Sequence, residues 1–121
     1  MQRRSLAASF RDAFKGIGHV FLTQRNAKIQ LAVGVATLLL AAGLRVSLGE
    51  LAVLLFVSAA VLAAEIGNTA VESLVDAFCP DISESARIAK DAAAGAVLML
   101  SLGSVVIGIC VLGPPLWRLL V

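Results

Sequence analysis

The sequence contains few charged residues. Asp, Glu, Lys and Arg make up 15% of its 121 residues and hydrophobic residues make up 60%, whereas about a quarter of the residues in a typical soluble domain are charged. The mean hydropathy is +0.96. This composition excludes an ordinary soluble domain and indicates a small integral membrane protein. A single domain, 1–121, has room for about three spans of ~20 residues and one surface element.

Cysteine is also scarce, and two familiar nucleotide-binding motifs are absent. The two cysteines, Cys79 and Cys110, fall in a predicted loop and inside a predicted span, which favours neither a disulfide framework nor a zinc site. The sequence has no GxxxxGK[ST] and no GxGxxG. Any nucleotide site would therefore have to be built from helix faces, and no nucleic-acid partner is expected.

The N-terminal segment, 1–28, concentrates positive charge. It has six Arg and Lys residues and one acidic residue, a net charge of +5. Apolar residues recur at steps of three and four opposite the basic ones, which predicts an amphipathic helix lying at the membrane interface. Charged residues interrupt this apolar pattern, so we do not expect a secretory signal peptide. The apolar stripe consists of Leu6, Phe10, Phe14, Ile17 and Phe21.

Three hydrophobic segments follow, at 29–48, 51–78 and 92–117, and each is long enough to span a membrane. The predicted fold class is therefore an all-α membrane protein with one interfacial helix and three transmembrane helices. The distribution of basic residues predicts that the N-terminus and the loop 79–91 lie on the cytoplasmic side of the membrane. Three helices form a thin core, so we expect the subunits to associate.

The loop between the second and third spans contains helix-boundary signals. Pro80 is expected to end the second span. Asp81, followed three residues later by Glu84, fits a capping box. We therefore expect a short helix that begins there and runs towards Asp91.

A polar stripe interrupts the second span. Glu65, Asn68, Glu72 and Asp76 are separated by three, four and four residues, which keeps them within an arc of roughly 80° on a helix. One ionisable group at the centre of a membrane helix costs on the order of 2.5–3.5 kcal/mol on insertion scales. Three carboxylates on one face therefore indicate a functional site.

The stripe and the next span together suggest phosphate chemistry. Glu65, Asn68 and Glu72 lie towards the cytoplasmic half of the second span, and Lys90 and Asp91 lie where the chain re-enters the membrane. Carboxylate and amide oxygens suit Mg²⁺, which is often held together with substrate phosphates. A nearby lysine can contact those phosphates as a point charge.

Three sequence runs resemble the bacterial integral-membrane diacylglycerol kinase and undecaprenol kinase family. They are E-I-G-N-T-A-V-E-S-L-V-D, then A-K-D-A-A-A-G-A-V-L, whose lysine follows Glu72 by 18 residues, and the upstream Q-R-N-A-K-I-Q. The resemblance covers nearly the whole chain. The runs A-A-G-A-V-L and P-P-L-W-R-L are closer to the undecaprenol kinase branch.

The resemblance implies ATP-dependent phosphorylation of a membrane lipid hydroxyl by a homotrimer with composite active sites. Carried over onto matching positions, it makes Glu65 the catalytic base beside the lipid and Glu72 a Mg²⁺ ligand. It makes Asn68 a polar organiser of the nucleotide and metal cluster, and Lys90 and Asp91 contacts to ATP.

Some positions depart from the family pattern or align with it loosely. The family commonly has a glutamate before the R-N pair as a second metal ligand, and this chain has Gln24 there. An amide oxygen can still coordinate Mg²⁺, but it brings no charge. The arginine that approaches the nucleotide corresponds to Arg4 or Arg11. Ala94 occupies a small-residue position near the lipid headgroup.

Other interpretations remain open at this point. Asp76 could be a solvated interfacial residue or a partner of Arg87, and Lys90 with Asp91 could form a surface ion pair, which contributes about 0–1 kcal/mol. A small proton-coupled transporter or ion-pathway subunit would also carry membrane carboxylates. A non-catalytic assembly subunit could use the polar stripe for helix packing alone.

Overall fold

The computed structural model describes residues 3–81 and 83–121, which form four helices. They are α1 (Leu6–Thr23), α2 (Arg25–Gly43), α3 (Leu48–Phe78) and α4 (Glu84–Leu120). Helices α2, α3 and α4 are long and apolar enough to cross a membrane. The all-α fold with three candidate spans is therefore confirmed, while the homotrimer and the interfacial position of α1 stay predictions.

The predicted helix over 1–28 is divided in two. Helix α1 begins after Ser5, whose side chain accepts a hydrogen bond from the backbone N–H of Ala8 at 3.2 Å. It ends at Thr23, whose hydroxyl donates to the backbone oxygen of His19 at 2.7 Å, a local bond that competes with helix continuation. Gln24 is extended, and the segment 25–28 already belongs to α2. The break makes Gln24 a joint between α1 and the first candidate span.

The turn between α2 and α3 contains Arg45 in a left-handed conformation, with φ of 57°. The backbone N–H of Arg45 donates to Ala42 O at 3.1 Å, and that of Val46 donates to Ala41 O at 3.3 Å. This pair of bonds is a Schellman motif, in which the left-handed residue is usually glycine. A non-glycine residue there costs on the order of 1 kcal/mol.

Helix α3 starts at Leu48, three residues before the predicted span. Ser47 accepts a hydrogen bond from the Glu50 N–H at 3.1 Å, and Glu50 Oε1 accepts from the Ser47 N–H at 3.3 Å. This reciprocal capping box satisfies two backbone donors that the first turn of a helix leaves unpaired. It accounts for the earlier start of the helix.

Helix α4 is continuous, and the prediction of a short helix opened by an Asp81–Glu84 capping box is wrong. Ser83 is the N-cap and accepts a hydrogen bond from the Ala86 N–H at 3.1 Å. A serine hydroxyl at this position satisfies the exposed donor without help from Asp81. At 37 residues, α4 is about 55 Å long, so its first turns extend beyond a hydrocarbon core of about 30 Å unless the helix tilts strongly.

Helix α3 lies between α2 and α4 and packs against both. The buried apolar cluster is small and is formed by Ala41, Leu54 and Val111, one residue from each of the three helices. Many large apolar side chains are exposed, including Phe56 and Met99, which are 75% and 76% exposed. Such surface suits lipid or further subunits, because a soluble monomer rarely exposes so much apolar area.

Candidate active site

The polar stripe lies on one unbroken helix, α3, so its predicted periodicity is retained. Glu65 is 4% exposed and is a buried charged residue among the described residues. Thr69, one turn later, donates its hydroxyl to the backbone oxygen of Glu65 at 2.9 Å. The Thr69 hydroxyl thus bonds to the helix backbone and not to the Glu65 carboxylate.

The Glu65 side chain lines a cleft of about 360 Å³ formed by residues of α2, α3 and α4. Ala94 lines the same cleft, so the structure brings together the two residues predicted to contact the lipid. A side chain no larger than a methyl group leaves room beside the carboxylate. Ile29, Val97 and Leu98 contribute the apolar part of the remaining wall.

Three polar residues of this cleft were missed from the sequence: Asn26, Gln30 and Ser101. Gln30 Nε2 donates to Ser101 Oγ at 3.4 Å and links α2 to α4. Asn26 and Gln30 are four residues apart and therefore share a face of α2. That spacing within Q-R-N-A-K-I-Q was the available signal, whereas no local pattern marks Ser101.

Asn68 and Glu72 form a pair on α3 that is suited to a cation. Asn68 Nδ2 donates to Glu72 Oε1 at 3.4 Å, and Asn68 Oδ1 is buried without a hydrogen-bond partner. A buried oxygen without a partner costs about 1–3 kcal/mol, which ligation to a metal ion would offset. Residues 3–81 and 83–121 contain no group of three His, Cys, Asp or Glu side chains that could hold a metal.

Lys90 forms an ion pair with Asp76, with Nζ and Oδ1 2.5 Å apart. This pair joins the start of α4 to the end of α3 and lines a second cleft of about 350 Å³. Asp76 is thus paired with Lys90, and Arg87 instead lies 3.9 Å from Glu84. Among the described residues the alternative Lys90–Asp91 ion pair does not form, and Asp91 is exposed.

The remaining candidates lie outside both clefts. Gln24 is half-buried at the joint between α1 and α2, and its Nε2 donates to Thr23 Oγ1 at 3.5 Å. Arg4 forms an ion pair with Asp12, and Arg11 is exposed. Within one chain, Glu65 and Ala94 therefore lie in one cleft and Lys90 lies in another. The Asn68–Glu72 pair lies between Glu65 and Asp76 along α3.

Comparison with known proteins identifies the family. The sequence model described as prokaryotic diacylglycerol kinase matches residues 11–112. A protein named diacylglycerol kinase from Synechocystis sp. is 43% identical over 118 residues, which cover 97% of this chain and 67% of that protein. A protein named undecaprenol kinase from Bacillus subtilis is 32% identical over 108 residues, which cover 89% of this chain and 88% of that protein.

These matches also bear on the alternatives. Neither relative is named as a transporter, so the proton-coupled transporter hypothesis gains no support. Of these two relatives, the protein named diacylglycerol kinase shares the greater identity with this chain. The closer similarity to the undecaprenol kinase branch stays a prediction. Because the family model covers most of the chain and both relatives align along most of it, the chain belongs to the prokaryotic diacylglycerol kinase family and is a lipid kinase.

Proposed function

We propose that this kinase transfers the γ-phosphoryl group of ATP to the hydroxyl of undecaprenol or diacylglycerol, with Glu65 as the catalytic base. The observation that carries this proposal is a buried carboxylate, Glu65, in a cleft that also has an apolar wall. The apolar wall suits the chain of a lipid, and the carboxylate suits its hydroxyl. A positioned base of this kind contributes about 10²–10⁴-fold to a reaction rate.

In the proposed step, the lipid hydroxyl oxygen forms a bond to the γ-phosphorus of ATP. The bond from that phosphorus to the bridging oxygen breaks, ADP leaves, and the Glu65 carboxylate accepts the hydroxyl proton. Catalysis of phosphoryl transfer depends mainly on positioning and on charge stabilisation. Lys90, held by Asp76 at 2.5 Å, would supply positive charge to the phosphates, and Asp91 would contact the nucleotide.

The donor set fits Mg²⁺. The Glu72 carboxylate and the unpartnered Asn68 Oδ1 are hard oxygen donors, and Gln24 would add a neutral amide oxygen. When bound there, the ion would offset part of the negative charge of the phosphates. Asn68 Nδ2 orients the Glu72 carboxylate at 3.4 Å, which would keep both donors directed to one place.

We also propose a homotrimer with composite active sites on the cytoplasmic side of the inner membrane. The exposed apolar faces and the small buried cluster support association of subunits. Glu65 and Asp76 are 11 residues apart on α3, or about 16 Å, and they line separate clefts of one chain. A neighbouring subunit could close this gap. The basic segment 1–28 supports the orientation.

The direct test is transfer of labelled phosphate from ATP to each lipid by the purified protein in micelles. We expect a phosphorylated product from undecaprenol or from diacylglycerol, and the preferred product names the substrate. Omitting Mg²⁺ should abolish the signal. A preparation that remains helical and assembled but phosphorylates neither lipid would contradict the proposal.

Gln24→Glu should lower the Mg²⁺ concentration needed for half-maximal activity by a few-fold. The substitution adds a carboxylate where the family commonly has one, and extra ligand charge strengthens cation binding. Desolvation at the membrane edge limits the gain. The measurement is a Mg²⁺ titration of initial rates at saturating ATP and lipid.

Ala13→Glu is the matched control for Gln24→Glu, since it adds the same charge at an exposed position of α1. Ala13→Glu should leave the Mg²⁺ concentration needed for half-maximal activity unchanged. An active Gln24→Glu enzyme with an unshifted titration would remove Gln24 from the metal site.

A further inference from the structure

A third cleft, of about 450 Å³, lies between the α2–α3 turn and the last turns of α4. Arg45 and Arg118 line it from these two elements. We propose that this cleft binds the phosphodiester headgroup of an anionic phospholipid, with both arginines contacting the phosphate. The planar guanidinium group matches phosphate oxygens bidentately.

The two arginines are available to such a ligand. Within residues 3–81 and 83–121, no carboxylate lies within 4.0 Å of either guanidinium group. Glu50 also lines the cleft, but its Oε1 accepts hydrogen bonds from the Ser47 N–H at 3.3 Å and from Ser47 Oγ at 3.0 Å. Glu50 is the only acidic side chain among the described residues that line this cleft, and the capping box engages it. With two arginines, the cleft keeps a net positive charge.

The backbone at Arg45 is a second and independent observation. Its φ of 57° completes a Schellman motif in which glycine would relieve the steric cost. A residue held in a sparsely populated backbone region justifies a hypothesis of function. Arginine at this position supplies a positive side chain that lines the cleft, which glycine would not.

Arg118 is held in place by the helix on which it lies. Its Nε donates to the backbone oxygen of Pro114 at 3.3 Å. This bond uses one of the five N–H donors of a guanidinium group and leaves the terminal donors for a ligand. Pro114 and Arg118 both line the cleft, so the hydrogen bond keeps the cation at its edge.

The position of the cleft along the helix bundle favours a lipid headgroup over other phosphates as its ligand. Arg45 precedes α3, which is 31 residues or about 46 Å long, whereas Glu72 and Asp76 lie near its other end. The cleft is therefore at the end of the bundle opposite the proposed kinase site. Arginines at a helix end reach the headgroup layer of a bilayer, and phospholipid phosphates there are present at high local concentration.

Trp117 provides a local reporter, because it is the only tryptophan in the chain. It precedes Arg118 and is 69% exposed. The experiment measures quenching of its fluorescence in phosphatidylcholine bilayers that contain a fixed fraction of brominated phosphatidylglycerol or of brominated phosphatidylcholine. The expected result is a preference of about fivefold or more for phosphatidylglycerol near Trp117, the scale expected for one or two basic residues near a surface.

The paired variant Arg45→Gly with Arg118→Gln should reduce this preference to about onefold. Glycine suits the left-handed backbone, so loss of the preference cannot be attributed to a damaged turn. Arg45→Lys with Arg118→Lys should retain part of the preference. Arg3→Gln with Lys15→Gln removes two charges from the N-terminal region and should retain all of it.

A preference for phosphatidylglycerol that is lost in the Arg45→Gly and Arg118→Gln variant would support the proposal. No phosphatidylglycerol preference in the unmodified protein, or a full preference in the Arg45→Gly and Arg118→Gln variant, would overturn the proposal. Inorganic phosphate is added in a separate arm and compared with chloride at equal ionic strength. If phosphate alone removes the preference, the cleft binds free phosphate and the assignment to a lipid headgroup is overturned.

Discussion

Replacing Glu65 with glutamine is expected to reduce lipid phosphorylation by at least ~10²-fold, the low end of general-base contributions. Glutamine preserves the size of the side chain and its capacity for hydrogen bonding, but it does not accept the hydroxyl proton. Glu65 is 4% exposed, so bulk water cannot readily replace it as the proton acceptor. The measurement is the rate of transfer of labelled phosphate at saturating ATP and lipid.

The control for this substitution is Glu84→Gln, an isosteric change at an exposed position in the first turn of α4. It should leave the rate near that of the unmodified enzyme. Helicity and oligomeric size should be unchanged in both variants. A correctly assembled Glu65→Gln enzyme with near-normal turnover would show that another group accepts the proton.

Lys90→Ala is expected to reduce kcat/KM for ATP by about 10- to 100-fold, the range for losing a hydrogen bond to a charged group. The ammonium group is proposed to contact phosphate oxygens, so kcat/KM for the lipid at saturating ATP should change far less. The two values are obtained by varying one substrate at a time. The difference between them separates a nucleotide contact from a general loss of structure.

Two further variants test whether the Asp76–Lys90 ion pair is more than a link between helices. Lys15→Ala removes the same charge from an exposed position of α1 and should leave both values unchanged. Lys90→Arg keeps the positive charge and should retain part of the kcat/KM for ATP that Lys90→Ala loses. Equal losses for ATP and lipid in Lys90→Ala would assign Lys90 a structural role.

Features that depend on neighbouring residues of one helix were predictable from the sequence. The Glu65–Asp76 stripe follows from the 3.6-residue period of any helix, and α3 retains it. The three candidate spans follow from composition and length. Helix ends were less predictable, because Ser83 and Asp81 compete as caps within three residues and small energy differences decide between them.

The amino-acid sequence by itself determined the membrane class, the spans, the polar face of α3 and the family resemblance. The tertiary structure alone decided which helix faces meet: Ala94 beside Glu65, Lys90 paired with Asp76, and Arg45 sharing a cleft with Arg118. The physical reason is that spacing along one helix is fixed by its backbone hydrogen bonds. Contacts between helices depend on crossing angle and side-chain packing, which no local pattern encodes.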